Sequence, residues 1–183
     1  MIMMPTIYVQ ELGTFYDVEN FVDFLKRKGE TPVNLVFVLS LSDNCRVSFY
    51  VEVITVNNNR ESNKYTINAE KVSSRNLELK TVEKLFDILN FKFVNLFEVL
   101  KNCDCSDNAL QYMKIIVNND IVNSIEIKEI SSVSEQVIYE VIVDTTNGKR
   151  EVYSSMSVDS LRNFVCCLIK YVNKSRNYAP FRI

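Results

Sequence analysis

The stretch Val33-Asn34-Leu35-Val36-Phe37-Val38-Leu39-Ser40-Leu41 narrows the possible folds more than any other. It is rich in β-branched and aromatic residues, and both alternating faces are largely apolar. That pattern predicts a central strand, covered on both sides and flanked by neighbours. Residues 45–56 supply one neighbour. Cys45, Val47, Phe49, Val51 and Val53 fall on one face, and Arg46, Ser48, Tyr50 and Glu52 on the other. Ser42-Asp43-Asn44 between the two runs reads as a turn. After a polar loop at 57–63, residues 64–72 read as another strand. Ile7 to Leu12 reads as an edge strand.

Helical spacing appears on either side of these strands. Val18, Phe21, Val22 and Leu25 form one face of a helix over Asp17 to Lys28, and Gly29 suits its left-handed end. Thr81 is placed to cap a long helix reaching Lys101. Its apolar stripe is Val82, Leu85, Phe86, Leu89, Phe93, Leu96, Phe97 and Leu100. Asn102 to Asn108 has no periodicity and reads as a boundary. Strands follow at 109–117, 121–130, 136–145 and 149–155, with a hairpin turn at Thr146-Asn147-Gly148. Ser157 then caps a helix that turns Val158, Leu161, Phe164, Val165, Leu168, Ile169 and Val172 inward.

A shift of 76 residues superposes much of this layout. Strand 33–41 falls on 109–117, 45–54 on 121–130, and the helix start at Thr81 on Ser157. The expected fold class is therefore α+β. Two similar units each hold an antiparallel strand meander and a C-terminal helix, and an extra helix lies near the N-terminus. Leu77 to Leu79 would be a weak fourth strand of the first unit. The units would span 1–102 and 109–183, or merge into one continuous domain. This tandem layout is similar in outline to the paired RWD modules of kinetochore subunits. The Tyr-Pro…Pro turn of that family is missing, since the only prolines are Pro5, Pro32 and Pro180. The repeated four strands plus helix also resemble the Pur-alpha and whirly-type single-strand binders.

Composition removes several kinds of chemistry. The 183 residues include no His and no Trp, which excludes a Ser-His-Asp or Cys-His site within the chain. The three glycines, Gly13, Gly29 and Gly148, lie too far apart for a P-loop or a Rossmann turn. No cofactor is expected, and the chain is read as non-enzymatic. Basic and acidic residues balance as 12 against 13 up to Lys101 and 9 against 10 beyond it. With a pI near 5.3, bulk charge disfavours nucleic acid as a partner. No apolar run is long enough to span a membrane. The five cysteines include a Cys103-Asp104-Cys105 loop and an adjacent Cys166-Cys167 pair. Neighbours this close rarely bridge each other. A reduced, intracellular protein, cytoplasmic or nuclear, is the expectation. The loop lacks the spacing and second ligand pair of a metal site. The 20 Asn against three each of Gly, Ala and Pro point to an AT-rich genome, such as that of a virus, a parasite or a low-GC bacterium.

Candidate contact residues fall in two groups. Phe86, Phe91, Phe93 and Phe97 exceed what one helix over a thin sheet needs, and Phe91 lies off the stripe. Surplus aromatics of this kind belong to the core or to a partner surface. The C-terminal stretch interleaves Lys170, Tyr171, Lys174, Arg176, Tyr178, Phe181 and Arg182 without an acid. Such a stretch suits phosphate contact with base stacking, or a cationic helix end followed by a docked tail. Tyr50, Tyr65, Tyr112, Tyr139 and Tyr153 are candidate stacking platforms. Glu126, Glu129, Glu135 and Glu140 read as a solvated sheet face. The leading expectation is a protein partner or a second copy of the chain, through an adaptor or inhibitor role. Single-stranded nucleic-acid binding is the alternative.

Overall fold

The computed structural model describes residues 6–42, 47–68, 78–117, 121–134, 136–148 and 150–175. The fold is mixed α+β. In chain order the elements are β1 (Ile7–Val9), β2 (Gly13–Phe15), α1 (Val18–Arg27), β3 (Thr31–Leu41), β4 (Val47–Val56) and β5 (Ser62–Ile67). Then come α2 (Leu79–Ile88), α3 (Leu96–Val99), α4 (Asp107–Val117), β6 (Val122–Ser132), β7 (Val137–Thr145), β8 (Arg150–Met156) and α5 (Val158–Ser175). The eight strands form an antiparallel sheet in the order β2-β1-β5-β4-β3-β6-β7-β8. As its composition demands, β3 is central, and Leu35 through Leu39 are buried without a break. The N-terminal segment is a hairpin rather than one strand, with Ile7 opposite Phe15 and Val9 opposite Gly13. Its first strand joins β5 through Val9 and Ile67.

The chain divides into two compact units, each built from separated segments. The first comprises Met1–Val38, Phe49–Phe93 and Ile130–Val137. Here α1 is fixed at both ends. The Asp17 carboxylate accepts the Asn20 amide at 2.8 Å at its start. At its end Gly29 adopts φ 69°. The Gly29 amide then reaches the Lys26 carbonyl, and the Glu30 amide the Leu25 carbonyl. That is the paired bonding of a Schellman ending. Phe21 and Leu25 are buried, and the Phe21 ring meets Phe15 and Tyr65 edge-on. Lys84 of α2 pairs with Glu19 of α1 at 2.6 Å.

The long helix expected from Thr81 to Lys101 is broken. α2 stops at Ile88, and Asn90 stands at φ 59°. The Asn90 amide meets the Asp87 carbonyl at 3.1 Å and the Phe91 amide the Phe86 carbonyl at 2.9 Å, a second Schellman ending. Asn95 and Asn102 also take positive φ, at 75° and 55°. Asparagine tolerates the left-handed region better than other residues with a side chain, so Asn90 and Asn95 interrupt the expected helix and Asn102 follows its end. Thr81 is not the cap but a buried residue inside α2, and Leu79, expected in a weak strand, opens that helix.

The second unit comprises Leu39–Ser48, Val94–Glu129 and Ile138–Ile183. Residues 109–117, expected as a strand, form helix α4 instead. Leu110, Met113 and Val117 are buried at helical spacing, and Ser106 caps the start by accepting the Ala109 amide at 3.3 Å. The apolar run Ile115-Ile116-Val117 had masked that periodicity. The 76-residue shift therefore sets strand β3 against helix α4, and the element correspondence fails there. α4 packs against α5, and α5 against β8.

Four of the five cysteines are paired rather than reduced. Cys103 bridges Cys166 and Cys105 bridges Cys167, with Cα–Cα distances of 5.3 and 5.1 Å. Close neighbours in sequence do not bridge each other; each bridges across to the opposite pair. The loop before α4 lies against one face of α5, where that becomes possible. Cys45 lies outside the described residues.

Candidate functional site

Neither Phe86 nor Phe91 is available as a contact residue. Both are buried, at 1% and 7% exposure. Phe91 follows the left-handed Asn90, so the Schellman turn folds it back over the helix end, which accounts for its place off the stripe. Phe93 is half-buried, with its ring centroid 5.3 Å from Phe37 and 4.6 Å from Phe86. The surplus aromatics of this stretch serve the core of the first unit. Phe97, half-buried on α3, belongs to the second.

Lys170, Tyr171 and Lys174 lie on the last turns of α5, with both lysines exposed and Tyr171 half-buried. Arg176, Tyr178, Phe181 and Arg182 lie outside the described residues. Lys170 and Lys174 line a groove of about 710 Å³ with Leu100, Asp104, Ile169 and Asn173. Cys103, Cys105 and Cys166 border the same groove. The loop that carries two of them is held at three further points. Lys170 Nζ donates to the Cys105 carbonyl at 3.0 Å. The Arg162 guanidinium reaches the Lys101 and Asn102 carbonyls at 3.1 and 3.0 Å. The four sulfur-bearing residues differ sharply in access. Cys105, Cys166 and Cys167 are 7%, 5% and 5% exposed, whereas Cys103 is exposed.

The candidate strand tyrosines are mostly spent on packing. Tyr65 and Tyr139 are buried, Tyr50 and Tyr153 half-buried, and Tyr153 rests on Phe164. Tyr112 alone of the five is exposed, and it stands on α4 rather than on a strand. With Ile115 it forms an apolar pair at helical spacing, 64% and 74% exposed, opposite the buried Leu110, Met113 and Val117. A strand over 109–117 would not bring these two side chains together on one exposed face. The helical spacing of Leu110, Met113 and Val117 was the signal that could have found the pair.

Three carboxylates are buried among the described residues, those of Glu30, Glu52 and Glu129, and Glu52 pairs with Lys64 at 3.6 Å. Glu30 is placed by the ending of α1 and accepts Thr55 Oγ1 at 3.0 Å, Asn63 Nδ2 at 2.5 Å and the Tyr65 hydroxyl at 2.6 Å. Burial pushes its carboxyl up, but these bonds outweigh that and hold it below the ordinary value. Glu129, expected on a solvated sheet face, is fully buried. It continues the inward face of Ile125 and Ile127 on β6. Glu126 and Glu140 are half-buried, and Glu135 lies outside the described residues. The Glu129 Oε2 atom accepts the Val94 amide at 2.9 Å, while Oε1 has no hydrogen-bond partner. Burial pushes the Glu129 carboxyl up to about 7, against the opposing pull of the Val94 and Asn95 amides. Tyr139 is buried as well, and its hydroxyl is pushed up to about 12 by burial and by the Glu129 charge.

Among the described residues no group of three or more metal-ligating side chains comes together, and no helix is long and apolar enough to cross a membrane. With four cysteines paired, the intracellular expectation loses the part of its support that came from cysteine spacing. No family model, curated protein or solved structure matches the chain.

Proposed function

We propose that the chain is a non-enzymatic interaction module that binds a protein partner through the outer face of α4. The observation that supports this reading is the exposure of Tyr112 and Ile115 on a helix whose opposite face is buried. An aromatic and a branched aliphatic side chain, one helical turn apart, suit a shallow apolar docking point. Gln111 and Lys114 beside them are exposed and provide a polar rim. The single-stranded nucleic-acid reading is weakened, because Tyr65 and Tyr139 are buried and bulk charge is acidic.

The test is co-purification of the full chain with its native proteome, comparing wild type with Tyr112→Ala/Ile115→Asp. A stoichiometric protein partner lost from the variant, with unchanged thermal unfolding, supports the reading. A partner retained by the variant moves the interface elsewhere. Binding of single-stranded oligonucleotides that falls steeply with salt would favour the alternative.

A further inference from the structure

The two disulfides are chemically unequal, and the groove beside them is shaped for a small molecule. A disulfide is opened by a thiolate that approaches one sulfur in line with the bond and expels the other. Access therefore decides which bridge reacts and at which end. Cys105–Cys167 offers no exposed sulfur residue at either end. Cys103–Cys166 offers one, at Cys103. The expelled sulfur would be that of Cys166, and Lys170 stands one turn further along α5, on the same helical face. Its ammonium, held by the Cys105 carbonyl, favours the negative charge that the departing sulfur acquires. The Cys103 sulfur lies 3.0 Å from the Leu100 carbonyl, so a reduced thiol there has an acceptor in place.

We infer that Cys103–Cys166 is an exchangeable redox centre that takes a small anionic thiol of the glutathione class, while Cys105–Cys167 is a protected structural bridge. The ligand class follows from the groove. Its volume of about 710 Å³ fits a small molecule, and Leu100 and Ile169 give it apolar wall. Lys170 and Lys174 supply two cations against the single acid Asp104. In the first step the thiolate sulfur bonds to Cys103 Sγ, the Cys103–Cys166 bond breaks, and the electron pair leaves on Cys166 Sγ, which takes a proton from water. In the second step another thiolate attacks the small-molecule sulfur of the mixed disulfide and releases Cys103 as thiolate. Two thiols are oxidised to one small-molecule disulfide, and the protein bridge gains two electrons.

The test treats the oxidised full chain with glutathione without denaturant, followed by acid quench, alkylation and peptide mapping by mass spectrometry. The expected result is glutathione on Cys103, alkylated Cys166 and an intact Cys105–Cys167 bridge. Cys166→Ser keeps the second bridge, and its Cys103 thiolate should attack added glutathione disulfide, expel one glutathione thiolate and hold the other half as a stable adduct. If that variant fails to fold, the wild-type time course still decides the outcome. After correction for thiolate fraction, mercaptoethanesulfonate should react about fivefold faster than cysteamine, and Lys170→Gln/Lys174→Gln should remove most of that preference. Loss of both bridges at one rate, reduction only in denaturant, an adduct on Cys105, or equal rates for the two thiols would each overturn the inference.

Discussion

The Tyr65 hydroxyl donates to Glu30 Oε2 at 2.6 Å, joining β5 to the residue that ends α1 across 35 positions of sequence. Thr55 and Asn63 donate to the other oxygen of the same carboxylate. Removing one donor leaves two, whereas removing the acceptor strands three donors at once. Tyr65→Phe should therefore cost about 1–2 kcal/mol and Glu30→Ala roughly twice that, read from urea unfolding at neutral pH. Because the folded carboxyl is held below its ordinary value, its contribution is present above the unfolded value of 4.5 and is lost as pH falls through the folded one. The gap between wild type and Glu30→Gln should close in acid.

Glu129 runs the opposite way. Its folded value of about 7 lies above the unfolded 4.5. The native state therefore binds more protons than the unfolded chain between these values, and stability falls as pH rises through that window. Glu129→Gln retains an oxygen for the Val94 amide and removes the charge. The variant should be more stable than wild type at pH 8 by roughly 2–3 kcal/mol, with the advantage fading towards pH 5. Denaturant midpoints measured across that range would show a flatter profile for the variant. Parallel profiles would mean that the carboxyl titrates normally.

Asn90 tests the helix break. At φ 59° a glycine is at ease and an alanine is not. Asn90→Gly should leave thermal unfolding nearly unchanged, whereas Asn90→Ala should cost about 1 kcal/mol. Equal effects would show that α2 ends for some other reason.

The two bridges close almost the same ring, with sequence separations of 63 and 62. Once one bridge is present, the second removes little further freedom from the unfolded chain. Replacing either pair alone by serines should therefore cost much less than replacing both, for which loop closure gives about 4 kcal/mol. Guanidinium unfolding of the two double variants and the quadruple variant measures that non-additivity.

Much of the fold could be read from period alone. The strands at 33–41, 45–56 and 136–145 and the helices after Asp17 and Ser157 announce themselves by alternation or by helical spacing. What escaped was settled by single residues. Two asparagines at positive φ, Asn90 and Asn95, cut one apolar stripe into two helices, and no hydropathy pattern records a backbone angle. The run Ile115-Ile116-Val117 imitates a strand, although Leu110, Met113 and Val117 keep helical register. Glu129 was legible in principle, since it sits two residues beyond Ile127 on the inward face, but an acid at a core position contradicts the usual composition rule. The cysteine pairing was not legible, because it depends on which surface of α5 the loop meets.

The pairing of Val9 with Ile67 sets an order on synthesis. When the hairpin of β1 and β2 leaves the ribosome, the strand beside which it belongs has not yet been translated. An apolar strand that includes Ile7 and Val9, both fully buried at the end, is paired on one edge by β2 and must wait with its other edge open until β5 emerges. Slow translation between the hairpin and β5 would lengthen the exposure of that apolar edge.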